Sequence, residues 1–595
     1  MTPSLQAFFS ATQTAAEDPA NIPARQLVLA EAEGLSRRFN NIYDNISSQN
    51  SFINKQLVTN TEQINRLAQT VGSLNTAIAG AGNGPPPNDL LDARDEAVRE
   101  LSTYIGVSVV AQDDNSFNVS IGSGQPLVVG GTVNRVEAVP GRGDPSRFDI
   151  NFVSGSSRQN ITSSISGGEV GGLLRYREEV LDPTLSSLGR LALSISSEIN
   201  SQLGQGLDLK GQVGADLFND INDPKLAGLR VRPMADNASN ASGAMNITNT
   251  KLLTTSDYQL DFDGTNYSAR RLSDGEVMNV VGGAGGELSF TDNSTPGRDQ
   301  GFTLQMTGTP AAGDRFVLEP TRRGATDIAV VLDQADQLAF AAPFKAGADL
   351  QIIGNGTTGQ PSVTMVLDPT TLPQANFVAD DLDPDYLQKI VGNIELRYDE
   401  ASNSMVFSTP TDVVITAVPQ ENSAAPSPIT GLPFVSGQTN QLNYAIEVDI
   451  AGSKQSFTIS QTLSGRPVDG DKFTVSFNKN GVSDNRNALK LADLQNKQVI
   501  GVDANITGIE TGVSFNDGYG DMVERVGTLT AQARQDDVAT GAILKQATDN
   551  RNSLSAVNLD EEAANLIQFE QYYNASAQVI QVARSLFDTL LNAVR

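Results

Sequence analysis

The sequence predicts an α+β multidomain protein in which terminal helices form a coiled-coil-like bundle, or stalk, with β-rich domains inserted between them. Two observations carry this: heptad-spaced apolar residues near both ends, and a long middle region of alternating strands and Gly-containing turns. At 595 residues the chain is also too long for one core.

At the C-terminal end Leu559, Leu566, Tyr573, Ile580, Phe587 and Val594 stand seven residues apart, with Ala563, Phe569, Ala577, Ala583 and Leu590 in the intermediate slots. That spacing is the seam of a coiled coil. Asn558 and Glu561 suit a capping box, and Asp560 to Glu562 place negative charge at the positive end of the helix dipole, so a helix should begin at Leu559. Burying six large seam residues is worth about 9 to 18 kcal/mol, which an isolated helix forgoes. A partner helix is required.

From the other end, residues 1–105 read as the N-terminal part of the stalk. Phe8 and Phe9 form a short apolar patch, and Ala24 to Ala79 contains no Pro and predicts one helix of roughly 80 Å. Its seam runs through Leu35, Phe39, Ile42, Ile46, Gln49 and Ile53, then Leu57, Asn60, Ile64, Leu67, Val71, Leu74 and Ile78 after a stutter. Gln49 and Asn60 either set register or mark a partly solvated face. GAGNGPPPN ends the rod. NDLLDARDEAVRELSTYIG then makes a shorter helix able to fold back, with Leu90, Leu91, Ala97, Val98 and Leu101 inward and Asp and Arg outward.

Residues 106–165 alternate as a small β subdomain, and 166–215 hold a helix rejoining the stalk, with Leu181, Leu185, Leu188, Ala192, Ile195 and Ile199 as its ladder after the close-packing run GGEVGG. Residues 216–345 and 437–505 read as a β-rich domain interrupted by an inserted outer β domain, 346–436. Asp263-Gly264, Asp274-Gly275 and Asn480-Gly481 are expected hairpin turns. Phe302-Thr-Leu, Gly313-Asp-Arg-Phe and Asp327 to Leu338 parallel Phe457-Thr-Ile, Gly470-Asp-Lys-Phe and Asp484 to Leu494. Two related β units or one shared hairpin device would both explain this. Residues 506–595 complete the stalk, with Met522, Val526, Leu529, Ala533, Ile543 and Ala547 in a heptad that Asp536 and Thr540 interrupt.

Composition excludes much chemistry. There is no Cys, His or Trp, which removes Ser-His-Asp and Cys-His catalysis, thiolate and imidazole zinc sites, and disulfides. A formal charge of -28 without a basic run disfavours nucleic acid and anionic membrane. No run approaches eighteen apolar residues, and the start lacks an ordinary signal peptide's pattern. Gly354-Asn-Gly356-Thr-Thr-Gly359 matches the dinucleotide fingerprint, but Pro361 and an alternating run follow, so it reads as a turn. Arg142-Gly143-Asp144 reads as a loop. Asp380, Asp381, Asp383 and Asp385, like Asp257, Asp261 and Asp263, lack calcium-loop spacing, and no carboxylate pair is singled out for glycoside cleavage. The expectation is no catalytic, cofactor or metal residue.

The run SAVNLDEEAANLIQFEQYYNASAQVIQVARSLFDTLLNAVR resembles the terminal helix of the flagellar hook-associated protein 1 family, the hook-filament junction proteins of bacterial flagella. NDLLDARDEAVRELS, INSQLGQGLDLKGQVGADLF and SDNRNALKLADLQ resemble that family in the same order, from near Ser4 to Arg595. The resemblance implies a non-enzymatic structural adaptor packed as a ring, helical stalks inward and β domains outward. Its partners would be the flagellar hook protein, the filament-side hook-associated junction protein, other copies of itself and a flagellar export chaperone, in an extracellular flagellum reached through type III export. Leu559, Leu566, Tyr573, Ile580, Phe587, Leu590 and Val594 are then the expected subunit and chaperone packing residues. Family members are expected to begin further upstream, with an amphipathic export segment that pairs with the terminal helix; this chain enters at TPSLQAFF, so that segment is expected to be missing. The alternative is a secreted surface adhesin binding host ligands through its β region.

Overall fold

The computed structural model describes residues 1–81, 87–282, 286–366, 394–409, 413–418, 428–450, 453–478, 480–503, 505–506, 511–555 and 557–593. They fall into two compact units, Met1–Val523 and Glu524–Arg595. The expected helical termini and β-rich middle are both present.

In the first unit α1 (Thr2–Glu17) buries Leu5, Phe8 and Phe9, and α2 (Ile22–Gly80) is the expected long rod. Asn21 caps α2 by accepting the Ala24 N–H at 3.1 Å. The buried face follows the expected seam through Leu35, Phe39, Ile46, Ile53, Leu57, Asn60 and Ile64, then drifts. Ala68 and Asn75 are buried, whereas Leu67 and Leu74 are half-buried, because a 3.6-residue helix turns away from a strict seven-residue repeat. Gln49 is exposed and accepts from the Tyr176 hydroxyl, while Asn60 is buried. In α3 (Asn88–Tyr104) one expectation reverses: Arg94 points inward, its guanidinium 3.3 Å from the centre of the Phe117 ring. A planar cation on an aromatic face is a stable way to bury charge.

Strands β1 (Val107–Ala111), β2 (Phe117–Ile121), β3 (Gln125–Val129) and β4 (Thr132–Val133) form one antiparallel sheet, and β5 (Arg135–Pro140), β6 (Phe148–Ser154) and β7 (Ser157–Asn160) another. Asparagines of α2 hold both. Asn75 and Asn65 each accept an N–H and donate to a C=O, of Phe117 and Val136 respectively, at 2.8–3.0 Å. Asn54 accepts from Phe148 N–H and donates to Ser146 O. After α4 (Gly168–Tyr176), one π turn buries Leu181 and α5 (Asp182–Leu203) buries the rest of the expected ladder. The glycine run permits close approach: a Cβ on Gly168, whose φ is +63°, would lie 2.4 Å from Ile105 N.

Beyond α6 (Pro224–Leu229), eight strands form one sheet: β8 (Val231–Pro233), β9 (Ser242–Ile247), β10 (Tyr258–Phe262), β11 (Tyr267–Arg271), β12 (Val277–Gly282), β13 (Glu287–Thr291), β14 (Asp299–Thr307) and β15 (Arg315–Leu318). Then come α7 (Gly324–Asp327) and a second β unit: β16 (Phe344–Ala348), β17 (Thr357–Thr358), β18 (Ser362–Val366), β19 (Ile394–Asp399), β20 (Ser404–Ser408), β21 (Val413–Thr416), β22 (Gly431–Pro433), β23 (Asn440–Ile450), β24 (Ser453–Ser464) and β25 (Lys472–Phe477).

Two expectations are corrected here. Residues 346–436 are not an insertion into a divided domain, because β19 and β16 both pair with β25, so 344–477 make one unit around a core of Phe344, Leu396, Tyr444, Phe457 and Phe473. The sequence could not show this, since those pairings join residues up to 133 apart. Asn480-Gly481 is no hairpin; it lies between β25 and α8 (Arg486–Asp493). Asp263-Gly264 and Asp274-Gly275 do turn β10 into β11 and β11 into β12.

The repeat is a duplicated strand plan. In the first unit β15 lies between β8 and β10, and β14 between β13 and β9; in the second β25 lies between β16 and β19, and β24 between β23 and β18. Of the two readings, related β units fit.

The chain then returns to helix in α9 (Phe515–Ser555). Phe515 is fully buried and stacks on Phe9 with ring centres 6.2 Å apart, so the first and last helices of this unit share one core. The second unit holds the rest of α9 and then α10 (Leu559–Ala593).

Candidate assembly surface

α10 starts where its cap predicts: Asn558 Oδ1 accepts the Asp560 N–H at 3.0 Å, and Asp560, Glu561 and Glu562 occupy the first turn. Over 35 residues the helix is about 52 Å long. Of the expected packing residues, Leu559, Leu566, Tyr573, Ile580, Phe587 and Leu590 are all between 60% and 81% exposed; Val594 lies outside the described residues. No side chain of α10 is buried. The seam is thus an open stripe of large apolar groups, and a seven-residue repeat on a straight helix drifts ~20° per heptad, which favours a supercoiling helical partner. Phe569 of the seam is exposed as well, and Tyr572, Val579, Val582, Leu586 and Leu591 widen the apolar surface beyond it. In α9 Val526 and Leu529 are half-buried, while Ala533 and Ile543 are exposed.

None of the motifs weighed for chemistry assembles a site. The Gly354–Gly359 run contains β17 and leads into β18 rather than a helix N-terminus. Asp144 of the Arg-Gly-Asp triplet is buried and bonded to Arg232 at 2.9 Å. Asp257, Asp261 and Asp263 diverge: Asp257 pairs with Arg322, Asp261 accepts from Gln259, and Asp263 closes its turn through Thr265 and Asn266 N–H. Asp380, Asp381, Asp383 and Asp385 lie outside the described residues. Among the described residues no acidic cluster could hold a metal, and no helix is long and apolar enough to cross a membrane.

The sequence reading missed a buried charge cluster between the first β unit and the helices. Arg322 reaches Asp257, Asp182 at 3.4 Å and Glu319 at 3.5 Å, while Arg232 reaches Asp144 at 2.9 Å and Glu319 at 2.8 Å, the last off the line of its N–H. Arg147 joins through Asp182 at 2.6 Å. Burial pushes the Glu319 carboxyl up to about 7, against the pull of Arg322 and with the push of Asp257. Burial draws Arg322 down, but Asp257, Glu319 and Asp182 outweigh it and raise it. The Glu319 and Arg322 spacing was the one local signal; the remaining partners are defined by distance alone.

The fold and its open stripe define a structural protein of the bacterial flagellum, as three family models show. One described as the flagellar hook-associated protein FlgK helical domain matches residues 1–218, and the D2-like domain of flagellar hook-associated protein 1 matches 234–320. The C-terminal segment of flagellar basal body rod FlgEFG proteins matches 550–593, which includes α10. Flagellar hook-associated protein 1 of Escherichia coli K12 is 27% identical over 99% of this chain and 80% of the relative, and that of Salmonella typhimurium LT2 is 28% identical with the same coverage. The flagellar hook junction protein FlgK of Burkholderia pseudomallei superposes with a TM-score of 0.75 at 28% identity, covering 93% of this chain and 94% of that one. The chain belongs to the flagellar hook-associated protein 1 family.

Proposed function

We propose that this chain is the structural adaptor joining hook to filament in the bacterial flagellum, assembling by axial packing of its helices. One observation carries the reading: a 35-residue helix, within the segment matched to flagellar rod proteins, presents every described residue of its heptad seam to solvent. Its partners are the hook protein, the filament-side junction protein and other copies of the chain. The same seam, through Leu559, Leu566, Tyr573, Ile580, Phe587, Leu590 and Val594, binds an export chaperone before assembly, and export runs through the flagellar type III apparatus. No catalytic role is assigned. The β units tune contacts between neighbours of different stiffness.

The adhesin alternative has no observation in its favour, since the Arg-Gly-Asp carboxylate is buried. Deleting the gene tests the proposal. Hooks without attached filaments, with filament subunits shed into the medium, are expected; normally attached filaments would overturn it.

A further inference from the structure

The turn from β5 into β6, residues 141–147, is held on two sides by different chemistry. Toward the rod, Asn50 and Asn54 of α2 both donate to Ser146 O, at 2.8 and 2.7 Å, and Asn54 accepts the Phe148 N–H at 3.1 Å. Amides do not titrate. Toward the first β unit, Ala235 N–H donates to Arg142 O at 3.0 Å, Arg142 pairs with Asp236 at 3.1 Å, and Asp144 pairs with Arg232 of β8 at 2.9 Å. Charge dominates that side. The fit is close: a Cβ on Gly143 would lie 2.7 Å from the Val317 side chain of β15.

Behind this seat the charges do not cancel. Asp144 and Asp182 meet Asp257 and Glu319 of the β unit, four carboxylates around the three guanidiniums of Arg147, Arg232 and Arg322. Further out, Asp149 acts on Arg177 and Arg323 pairs with Asp327, one of each sign, so the excess carboxylate remains. Tyr43 of α2 faces Arg232 and Arg322, and burial raises it, so it stays neutral. One proton balances the cluster. Burial would raise Asp144, but the Ser146 hydroxyl at 2.7 Å, Arg232 and Arg322 hold it low. Asp257 accepts from Arg322, and Asp182 meets Arg147 at 2.6 Å. Glu319 has no such support: it is 1% exposed, and its Oε2, 2.8 Å from Arg232, receives no aligned hydrogen bond. Burial therefore outweighs the arginines, and Glu319 keeps its proton up to about 7.

We propose that the β5–β6 turn is a latch on the first β unit, shut while Glu319 carries its proton and released when Glu319 is ionised. Ionisation sets a further negative charge beside Asp144 and Asp257, and the repulsion falls on the charged side of the turn, not on the side held by amides. The turn then stays with α2 and parts from β8 and β15. Once released, Glu319 is open to water and its carboxyl returns toward the ordinary 4.5. The released fraction therefore rises with pH between 4.5 and 7 and levels off above. Between pH 5.5 and 8 the rise amounts to at most about thirtyfold.

Hydrogen exchange of the full chain reads both sides of the turn at once. The Ala235 N–H loses its acceptor, Arg142 O, when the latch opens, whereas the Phe148 N–H reports the α2 side. After correction for the intrinsic effect of pH on exchange, protection at Ala235 should fall about tenfold or more from pH 5.5 to 8. Protection at Phe148 should hold within about twofold, and Glu319→Gln, a neutral side chain of the same shape, should keep Ala235 protected at both pH values. Constant protection at Ala235 in the parent, or an equal fall at Phe148, would overturn the latch, as would a pH dependence that survives Glu319→Gln. The first two results are read on the parent alone, so they decide the question even where the variant folds poorly.

Discussion

Replacing Ile580 and Phe587 of α10 by Asp separates assembly from folding. The two side chains are 60% and 65% exposed, so most of the ~1.5 to 3 kcal/mol that full burial of each is worth is still available to a partner. Losing that contact costs about 2 to 4 kcal/mol for the pair, and desolvating two carboxylates adds to it, so affinity should fall by about a hundredfold or more. Titration calorimetry of the purified chain with its export chaperone reads this directly. Thermal unfolding of Met1–Val523 should not move, because neither residue is buried. Gln571→Glu and Gln578→Glu, off the seam, serve as controls. Binding within twofold of the parent would show that the stripe is not the packing face.

Three further outcomes are expected. Folded Glu319 holds its proton up to about 7, whereas an ordinary glutamate releases it near 4.5, so stability should fall as pH rises through that window, by on the order of 2 kcal/mol between pH 5.5 and 8. Urea midpoints at pH 5.5 and 8 check this, and Glu319→Gln should flatten the difference. Gly189→Ala places a Cβ 1.8 Å from Thr321 O, where backbone cannot yield cheaply, and should lower stability by about 3 kcal/mol or more in the same assay. Asn65→Ala strands the N–H and C=O of Val136 and should cost about 1 to 3 kcal/mol, with hydrogen exchange accelerated at Val136.

The legible parts of this chain were those governed by near neighbours. The α2 seam as far as Ile64, the Leu181 to Ile199 ladder and the Asn558 cap all follow from a few turns of helix, and stand close to where spacing put them. The exposed apolar stripe of α10 was legible for the same reason, and its role in packing is the proposal made above. Arg94 was misplaced because its aromatic support, Phe117, comes from another element. The division of the β region failed likewise: β19 and β25 read as separate pieces until their register joins Leu396 to Phe473. Gly313-Asp314 and Gly470-Asp471 betrayed the duplication only because both turns need the same left-handed glycine, at φ +91° in each, and the same carboxylate clamp.

The asparagines along α2 have a mechanical consequence. Asn54, Asn65 and Asn75 recur about every three turns and bind the two small sheets to the rod through neutral amides. Ionic fastenings would slacken in brine and tighten in fresh water, whereas uncharged ones ignore the Debye length. The two small sheets are braced against the rod by rivets indifferent to salinity.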